Sequence, residues 1–345
     1  METLSADVWA VLEAHFPESL LVAHGGRKRS LPWFFVGAWW RVLRHVRARD
    51  CDVVVTGDAV MFVALWPLLV MLRVPTATLV MGLDLTWPPR LYQRLIRVVV
   101  PRAERVLAIS NATADAARAI GVPDERLSVI RLGAAPPPGG PPDRRAARAA
   151  LHAELGLDAD AMIVATLGRL VRRKGVRWFV ADVLPKLPAS VHYVIAGSGP
   201  QRGEIEAAIL AAGVDDRVHL LGRVDDEQRE LVLSGADVFA QPNLAVPGDM
   251  EGFGLVVVEA AHRGTPVVAS ELEGIRDAVV TGETGVLCPA GDATAWLEVL
   301  RPMLEDRDGL DALGARFQRC ASGLYGPHAL AETLGVELGL VTSPA

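Results

Sequence analysis

Short runs of β-branched and aliphatic residues alternate with helical patterns along the second half of the chain. Between these runs, apolar residues recur at the spacing of one face of an α-helix. This alternation predicts a parallel sheet that is covered by helices on both faces. The predicted strands of this half cover residues 163–166, 191–196, 218–221, 238–241 and 266–269.

The first half of the chain shows the same alternation, so we expect a second sheet of the same kind. The fold class that follows is α/β, with two Rossmann-like, doubly wound domains that face each other across a cleft. The candidate strands of the first half cover residues 20–23, 52–56, 76–80, 105–109 and 127–131.

The sharpest change in composition lies at residues 133–147, GAAPPPGGPPDRRAA, where prolines and glycines exclude an inner strand and a continuous helix. This segment predicts a linker between the two domains. A last helical pattern at 327–340 favours a C-terminal segment that crosses back to the first domain. The predicted organisation is a first domain over 1–135, a linker over 136–150, a second domain over 151–322 and the C-terminal segment over 323–345.

The composition is that of a folded globular protein, with 51% hydrophobic residues and a mean hydropathy of +0.28. With 35 basic and 41 acidic residues the net charge is −6, so the surface as a whole offers no attraction for nucleic acid. Three cysteines, far apart in sequence, favour reduced thiols over a disulfide framework. Since no secretory signal opens the sequence, we expect a cytoplasmic protein.

Several classes of protein lack their signatures in this sequence. There is no HExxH, CxxC or GxSxG motif, which argues against zincins, thioredoxin-like proteins and serine hydrolases. The longest apolar run, residues 59–72, contains Pro67 and is shorter than the ~20 residues needed to cross a bilayer. It predicts a buried helix.

The loop after the strand at 163–166 reads GRLVRRKG, from Gly168 to Gly175. Ligands of open α/β sheets bind beyond the carboxyl ends of the strands, which is where this loop lies. Arg169 can hold two phosphate oxygens at once and Lys174 adds a compact charge, so the pair suits a pyrophosphate. A solvated basic turn explains these residues equally well, and their spacing is not that of a P-loop.

The loop after the strand at 191–196 begins with Gly197, Ser198 and Gly199. In the GxGxxG fingerprint of dinucleotide-binding proteins the third glycine would stand at position 202, which is Arg202. The dehydrogenase interpretation is weakened accordingly. A tight turn from strand to helix explains these glycines at least as well as contact with a ligand.

The stretch EGFGLVVVEA, residues 251–260, combines a glycine turn with two carboxylates. Gly252 and Gly254 leave room for backbone N–H groups at a helix start to approach an anion. Glu251 and Glu259 would repel that anion if they pointed at it, so they are better suited to accept hydrogen bonds from sugar and ribose hydroxyls. On a continuous helix they would be ~12 Å apart, which disfavours a glycosidase pair. A surface helix without a role is the remaining alternative.

In this order and spacing, the motifs G-R-x4-K-G, G-x-G-P, E-G-F-G-x4-E-A and G-x-P-V-V-A-S resemble those of the family-4 retaining glycosyltransferases of the GT-B fold. The resemblance covers most of the chain, because PTATLVMGLDLTW and AERVLAISNATADAARAIGVPDERLSVIRLG are similar in layout to the acceptor-side domain of that family. It implies transfer of a sugar from a UDP- or GDP-linked donor to a hydroxyl of a glycan, a lipid-linked molecule or a small molecule. Cell envelope polysaccharide biosynthesis is the expected setting.

Carried over by position, the resemblance implies that Arg169 and Lys174 hold the donor pyrophosphate and offset charge on the departing nucleotide. Glu251 would accept hydrogen bonds from the transferred sugar, and Glu259 from the ribose. The resemblance also implies a hexosyltransferase-type reaction that needs no cofactor and no metal ion. The further substrate-binding residues that it implies are Gly82, Asp84, Gly168, Phe253, Gly254 and Leu255.

One departure from the family pattern lies in the first-domain loop. Family members commonly carry histidine before Gly-x-Asp, where this chain has Met81 before Gly82 and Asp84. A thioether cannot donate the hydrogen bond that an imidazole donates. We therefore hypothesise altered or impaired handling of the donor sugar, which unchanged turnover and sugar preference in Met81→His would contradict. The alternative function is a catalytically impaired relative that binds only nucleotide or a partner.

A second departure is the start of the sequence. Relatives open with a strand and a Gly-Gly-x-Glu loop before a helix, whereas residues 1–16 already show a helical pattern. We expect the first domain to lack its first strand here, with codons upstream encoding an apolar strand that ends in two glycines. Since that strand is central in the doubly wound order, its absence would leave a hole in the sheet. The apolar positions of the pattern are Leu4, Val8, Val11, Leu12 and Phe16.

Residues 19–49 contain no Asp or Glu but combine basic and aromatic side chains. The combination suits peripheral association with an anionic membrane, at its inner face. It suits equally a helix whose aromatic residues pack on the first sheet while its arginines face water. The residues concerned are Arg27, Lys28, Arg29, Arg41, Arg44, Arg47 and Arg49, with Trp33, Phe34, Phe35, Trp39 and Trp40.

Overall fold

The computed structural model describes residues 31–48, 51–130, 132–134, 136–137 and 139–338, with the single positions 13, 20 and 22. The helical pattern of residues 1–16, the strand at 20–23 and the basic residues 27–29 and 49 therefore lie outside the described part of the chain, apart from those single positions. The chain forms two compact units. The first comprises Met1–Arg131 and Pro327–Ala345, and the second comprises Leu132–Gly326.

The first unit contains a parallel sheet of four described strands, which pair in the order β1-β2-β3-β4. Every residue of β2 is buried, because helices cover the sheet. The strands are β1 (Val54–Thr56), β2 (Thr76–Val80), β3 (Arg105–Ala108) and β4 (Leu127–Val129). The helices are α1 (Leu31–Ala48), α2 (Ala59–Leu72), α3 (Leu83–Thr86), α4 (Arg90–Val99) and α5 (Asn111–Ala119).

Helix α2 is the predicted buried helix of residues 59–72. It begins after Asp58, whose carboxylate accepts a hydrogen bond from the backbone N–H of Met61 at 2.7 Å. It ends at Arg73, which adopts a left-handed conformation with φ 53°. Phe62 and Leu69 of this helix are fully buried in the core of the unit. No helix in the described ranges is long and apolar enough to span a bilayer.

The second unit contains a parallel six-stranded sheet in the order β10-β9-β8-β5-β6-β7. This is the doubly wound order, in which the chain moves outward from a central strand in both directions. The direction reverses between β5 and β8, which pair through Val164 and Val238. The strands are β5 (Met162–Leu167), β6 (Val191–Ala196), β7 (Val218–Gly222), β8 (Val238–Gln241), β9 (Val267–Ser270) and β10 (Val286–Cys288).

Helices flank this sheet and meet it through a large apolar core. Phe179 lies at the centre of that core, with its ring 4.6 Å from that of Tyr193 and 5.7 Å from that of Trp296 between centroids. The helices are α6 (Arg144–Leu155), α7 (Val176–Trp178), α8 (Arg202–Ala212), α9 (Asp226–Gly235), α10 (Leu255–His262), α11 (Ile275–Ala278), α12 (Ala293–Glu305) and α13 (Arg307–Leu324).

Helix α6 begins within the segment 136–150 that we predicted as a linker. Asp143 caps it, since its carboxylate accepts hydrogen bonds from the backbone N–H groups of Arg145 and Ala146. Further along the helix, Arg148 Nε lies 2.8 Å from the carboxylate of the fully buried Asp237. Helix α6 is therefore part of the second unit, and the proline run ends before it.

The chain enters and leaves the second unit at neighbouring points. The backbone N–H of Ala134 donates to the carbonyl of Tyr325 at 3.2 Å, so the two ends of this unit are held together. The chain then continues into helix α14 (Pro327–Glu337), which belongs to the first unit. There, the hydroxyl of Ser128 donates to the carboxylate of Glu337 at 2.5 Å.

Candidate active site

The loops that follow β5 and β8 lie at the switch point of the second sheet, where such folds bind their ligands. The β5 loop spans 168–175, and the β8 loop runs from Pro242 to the start of α10. The backbone N–H of Leu244 donates to the carbonyl of Arg173 at 2.8 Å, which fixes one loop on the other. Residues that are distant in sequence therefore meet at this edge of the sheet.

A lysine and a glutamate form the centre of this site. Lys174 Nζ lies 2.7 Å from Glu251 Oε2, and both residues are buried, at 8% and 9% exposure. The same oxygen accepts a hydrogen bond from Asn243 Nδ2 at 2.9 Å. The amide of Gln241 in turn donates to the side-chain carbonyl of Asn243, which orients it. A chain of side-chain contacts thus fixes the Glu251 carboxylate from the end of β8.

Arg173 adds a second cation to the centre. Its guanidinium donates to Asp249 Oδ1 at 3.0 Å and to Glu251 Oε2 at 3.1 Å. Glu273 approaches from the other side, because its carboxylate accepts a hydrogen bond from the backbone N–H of Glu251 at 2.6 Å. Two cations, Arg173 and Lys174, therefore face three carboxylates in this cluster.

The charge state of Glu251 follows from these contacts. Burial alone would raise its pKa, but the charges of Lys174 and Arg173 and the hydrogen bonds from Lys174 and Asn243 hold the pKa below its usual range. Glu251 is therefore a carboxylate at neutral pH and acts as a hydrogen-bond acceptor. A general acid would need the opposite shift.

Burial raises the pKa of Glu273, and the nearby Glu251 and Asp249 add to this. The hydrogen bond from the backbone N–H of Glu251 and the charge of Arg173 oppose the rise. Glu273 has φ 46°, a left-handed conformation that is costly for a residue other than glycine. The structure thus holds a strained, half-buried carboxylate against the backbone of the central glutamate.

Glycines allow the close approach of the loops. Gly168 has φ 152°, a conformation that L side chains rarely adopt, and a Cβ there would lie in ordinary contact with Lys174 Cε at 3.6 Å. A Cβ on Gly175 would come within 1.7 Å of the carbonyl oxygen of Pro242, just beyond the end of β8. Gly175 has φ 64°, which also favours glycine.

The glycines of the loop after β6 also serve backbone packing. A Cβ on Gly197 would lie 1.8 Å from the carbonyl oxygen of Gly168, and one on Gly199 would lie 2.3 Å from that of Leu170. The backbone N–H of Leu170 donates to the carbonyl of Ser198 at 3.0 Å. These contacts explain the G-x-G pattern without a dinucleotide, in line with the absence of a third fingerprint glycine.

The glycine turn before α10 presents backbone groups rather than side chains. Gly254 has φ 89° and precedes the first helical residue, Leu255, without any side-chain cap. The first N–H groups of a helix have no partner within it and can bind an anion. Phe253 is buried and packs edge-on against Tyr325, with 6.1 Å between ring centroids. Its ring therefore supports the turn from behind.

Glu259, the second carboxylate of the stretch, is held by a different cation. Its carboxylate accepts a hydrogen bond from Arg229 of α9, and its backbone carbonyl accepts one from Arg263 at 2.9 Å. Arg263 is itself fixed by two bonds to Glu230. Glu251 and Glu259 thus belong to separate ion pairs, which is not the arrangement of an acid/base pair.

In the first unit, the loop after β2 is folded around Asp84. Its carboxylate accepts hydrogen bonds from the backbone N–H groups of Met81 at 2.9 Å and of Ala59 at 3.0 Å. Gly82 adopts φ 93°, and its carbonyl accepts the first bonds of helix α3. Burial raises the pKa of Asp84 to about 6, although the two backbone donors oppose this. The carboxylate therefore shapes the loop that carries Met81.

The structure brings together the predicted residues Gly168, Lys174 and Glu251. The turn at 253–255 comes two residues after Glu251 in the chain. Arg169 is exposed, and its side chain forms no hydrogen bond or ion pair with the described residues. Sequence reasoning missed several members of the site. Only Arg173 had a signal, as part of the basic run RRK. The missed residues are Arg173, Arg229, Gln241, Asn243, Asp249 and Glu273.

The parallel α/β architecture of both units, with a cation–carboxylate cluster at the switch point of one, places the chain in the class of doubly wound α/β proteins. Two family models match it. Glycosyl transferases group 1 matches residues 161–306, and Glycosyltransferase Family 4 matches residues 12–136. The chain belongs to the family-4 glycosyltransferases, which have the GT-B fold.

Curated relatives agree with this assignment. A D-inositol 3-phosphate glycosyltransferase of Nocardia farcinica is 34% identical over 243 residues, which is 67% of this chain and 51% of the relative. The amylovoran biosynthesis glycosyltransferase AmsK of Erwinia amylovora is 32% identical over 200 residues, 57% of this chain and 46% of the relative. The chain thus spans about half the length of the curated relatives that it matches.

The fold is also that of solved structures. Anabaena Alr3699/HepE, crystallised in complex with UDP and glucose, superposes with a TM-score of 0.74 at 21% identity, over 92% of this chain and 84% of that one. At this identity the likeness concerns the fold. Among the described residues, no three His, Cys, Asp or Glu side chains gather in a group that could hold a metal ion.

Proposed function

We propose that this chain is a retaining, hexosyltransferase-type glycosyltransferase that moves a sugar from a nucleoside diphosphate to a hydroxyl acceptor. The observation that carries the proposal is the buried contact of Lys174 with Glu251 at the ends of β5 and β8. A cation at the switch point suits a diphosphate, and a carboxylate held ionised suits sugar hydroxyls. The names of the relatives, all glycosyltransferases, and the UDP complex of a protein of the same fold support it.

In this proposal the residues stabilise a departing diphosphate. The bond between the sugar carbon and the phosphate oxygen breaks, the acceptor oxygen bonds to that carbon on the same face, and the acceptor proton passes to the phosphate. Lys174 and the N–H groups that begin α10 offset the growing charge of the phosphate. Arg169 is exposed and free to reach it from solvent, and no metal ion is required for this balance.

Lys174 is not free for a phosphate without a change in its contacts. Its ammonium lies on Glu251, so a bound diphosphate must share the lysine with that carboxylate or draw it away. Sugar hydroxyls can then take the place of Lys174 as donors to Glu251 Oε2. In this way donor binding exchanges one ion pair for two new contacts, one to each half of the donor.

The experiment is a panel of nucleotide sugars with mass spectrometric detection of products. We expect one UDP- or GDP-linked donor to be consumed, and Lys174→Met to lower its turnover by about a hundredfold or more. The matched control is Lys186→Met, which changes an exposed lysine of the same unit. Binding of nucleotide without any transfer would instead favour the catalytically impaired relative. Equal loss in both variants would contradict the role of Lys174.

A further inference from the structure

Large apolar side chains are exposed at regular spacing along one segment of the first unit. On helix α4 the exposed fractions are 72% for Leu91, 42% for Leu95 and 53% for Val98. These positions lie on one face of the helix, because they are four and then three residues apart. Residues Leu83 and Trp87, exposed by 42% and 51%, precede them. We call Leu83, Trp87, Leu91, Leu95 and Val98 the 83–98 surface.

Helix α4 is held in place by its opposite face. Ile96 is fully buried and Val99 nearly so, and both belong to the core of the unit. Trp87 packs edge-on against Tyr92, with ring centroids 5.1 Å apart. Most of the 83–98 surface is therefore a fixed apolar face on an anchored helix, and Leu83 and Trp87 lie just before it.

Arginines line this apolar face on one side. Arg90, Arg94 and Arg97 are all exposed and occupy the helix positions between the apolar stripe and the remaining solvent-facing edge. None of the three forms an ion pair with any residue that the structure describes, and the Arg97 guanidinium donates a hydrogen bond to the carbonyl of Ala119. No Asp or Glu occurs between Asp84 and Glu104 in the sequence. The positive charge beside the stripe is thus not neutralised within the segment.

We propose that the 83–98 surface docks the protein on an anionic lipid bilayer. An anchored helix with an apolar stripe and adjacent arginines matches the interface of such a bilayer, where apolar side chains enter the acyl boundary and arginines meet lipid phosphates. Trp87 has the amphipathic ring that is enriched at that depth. The 83–98 surface lies on the first unit, and its α4 part, Leu91, Leu95 and Val98, contains none of the residues implied in substrate binding.

Charge favours lipid over a second copy of the chain. A two-fold interface through this surface would bring the three arginines of one copy close to those of the other, because both copies present the same patch. Such like charges repel, whereas lipid phosphates neutralise them. Two neighbouring helices also suit contact with lipid. Helix α2 packs between α1 and α4 and carries no charged residue. Helix α1 exposes Trp33 by 78% and Trp40 by 66%.

The sequence of helix α1 allowed two interpretations, a contact with a membrane or a helix whose aromatic residues pack on the first sheet. Ala38 is buried, and Phe34 and Val42 pack against the core, as a structural helix requires. Trp33 and Trp40 nevertheless remain exposed, so packing on the sheet does not account for all of its aromatic residues. Both helices therefore expose apolar side chains beside exposed arginines, and α1 adds to the apolar area that the 83–98 surface presents.

The test is flotation of the full chain with vesicles of phosphatidylcholine, with and without phosphatidylglycerol. We expect binding to the anionic vesicles that weakens as salt is added. Arg90→Gln/Arg94→Gln/Arg97→Gln should lower the partition coefficient on the order of a hundredfold, about fivefold per arginine. Leu91→Gln/Leu95→Gln should lower it about tenfold or more. Hydrogen exchange with vesicles should protect residues 83–99.

Matched controls lie on the second unit. Leu210→Gln changes a leucine that is also 72% exposed, and Arg177→Gln changes an exposed arginine. Neither should alter vesicle binding. The proposal is overturned if neutral vesicles bind equally well, if the controls weaken binding as much as the α4 variants, or if the protected segment lies elsewhere. It is also overturned if the α4 variants abolish dimers of a chain that does not float.

Discussion

The carboxylate of Glu273 holds the backbone of Glu251 in place, since it accepts the N–H of that residue at 2.6 Å. The adjacent N–H of Gly274 donates to the carbonyl of Glu251 at 3.2 Å, so the turn fastens both backbone groups of the central glutamate. Gly274 itself packs so closely on Gly252 that a Cβ would lie 2.0 Å from its carbonyl oxygen. Glu273 is thus a positioning residue for Glu251, acting through its backbone.

We expect Glu273→Gly to lower kcat/KM for sugar transfer about tenfold, because a backbone hydrogen bond at the centre of the site is lost. Stability should change by no more than about 1 kcal/mol, as relief of the left-handed strain offsets the lost bond. Arg73→Gly is the matched control: with φ 53°, it relieves the same strain at a position of the first unit. Equal activity of the two variants would rule out positioning by Glu273.

A pH profile separates positioning by Glu273 from a merely structural role. Because its pKa is raised, Glu273 gains its proton at a higher pH than an ordinary carboxyl as the solution is acidified. The protonated form is a poorer acceptor for the N–H of Glu251. Wild-type kcat/KM should therefore fall through that pKa, whereas Glu273→Gln, a neutral acceptor like the protonated acid, should show the reduced low-pH activity throughout and lack this step.

Gly175 and Gly213 share a backbone conformation but not an environment. Their φ angles are 64° and 62°. A Cβ on Gly175 would lie 1.7 Å from the carbonyl oxygen of Pro242, whereas a Cβ on Gly213 would meet nothing within 4 Å. Gly213→Ala should cost about 1 kcal/mol in the free energy of unfolding, for left-handed strain alone. Gly175→Ala should cost at least about 3 kcal/mol, since backbone must move. Urea unfolding gives both values, and similar costs would contradict the close approach.

Removal of the negative charge of Glu251 should separate nucleotide binding from transfer. Lys174 and Arg173 lose a carboxylate partner in Glu251→Gln, so a nucleoside diphosphate should bind about fivefold to tenfold more tightly, equivalent to roughly 1 kcal/mol. Turnover should nevertheless fall about a hundredfold. Calorimetric titration with UDP and GDP, beside turnover of the donor, measures both effects.

Asp249→Asn is the matched control for this charge effect. Among the residues that the structure describes, Asp249 forms its ion pair with Arg173 alone, so its removal should also tighten nucleotide binding. Transfer should be largely retained, because Glu251, the proposed hydrogen-bond acceptor for the sugar hydroxyls, is intact. Weaker binding of the diphosphate to both variants would show that the carboxylates orient the cations rather than compete for them.

Asp84 gives the first unit a defined pH dependence. Its pKa of about 6 in the folded state lies above the unfolded value of about 3.9, so the folded chain binds this proton more tightly. The resulting stabilisation is complete below the unfolded pKa and is lost as pH rises through 6. From pH 4 to pH 7, the stability advantage of wild type over Asp84→Asn should shrink by about 2 to 3 kcal/mol. Urea unfolding at several pH values tests this, and a constant difference would refute it.

Most strands could be predicted from sequence because buried parallel strands are short, continuous apolar runs. The predicted segments 191–196 and 238–241 coincide with β6 and β8. Strand β10 (Val286–Cys288) was missed, since its three residues lie on the sheet edge and resemble a loop. Helix α6 begins within the predicted linker, because Asp143, a capping residue, starts it directly after the prolines.

The candidate site could be predicted only in part. Lys174 and Glu251 belong to motifs, so their positions at strand ends followed from the doubly wound order. Glu273 gave no signal, because its contact depends on a left-handed backbone that glutamate rarely adopts. Asn243 was missed, although it lies two residues beyond the end of β8 and its amide donates to the Glu251 carboxylate.

The hydrogen bond that joins Ala134 to Tyr325 has a consequence for how such chains can be recombined. Every residue of the Lys174 cluster is encoded within Leu132–Gly326, and that stretch opens and closes at one place. An exchange with a relative therefore needs two adjacent junctions, and no long loop has to be closed. A chimaera can thus exchange the whole Lys174 cluster as one contiguous segment and keep the helices and the surface of the other unit.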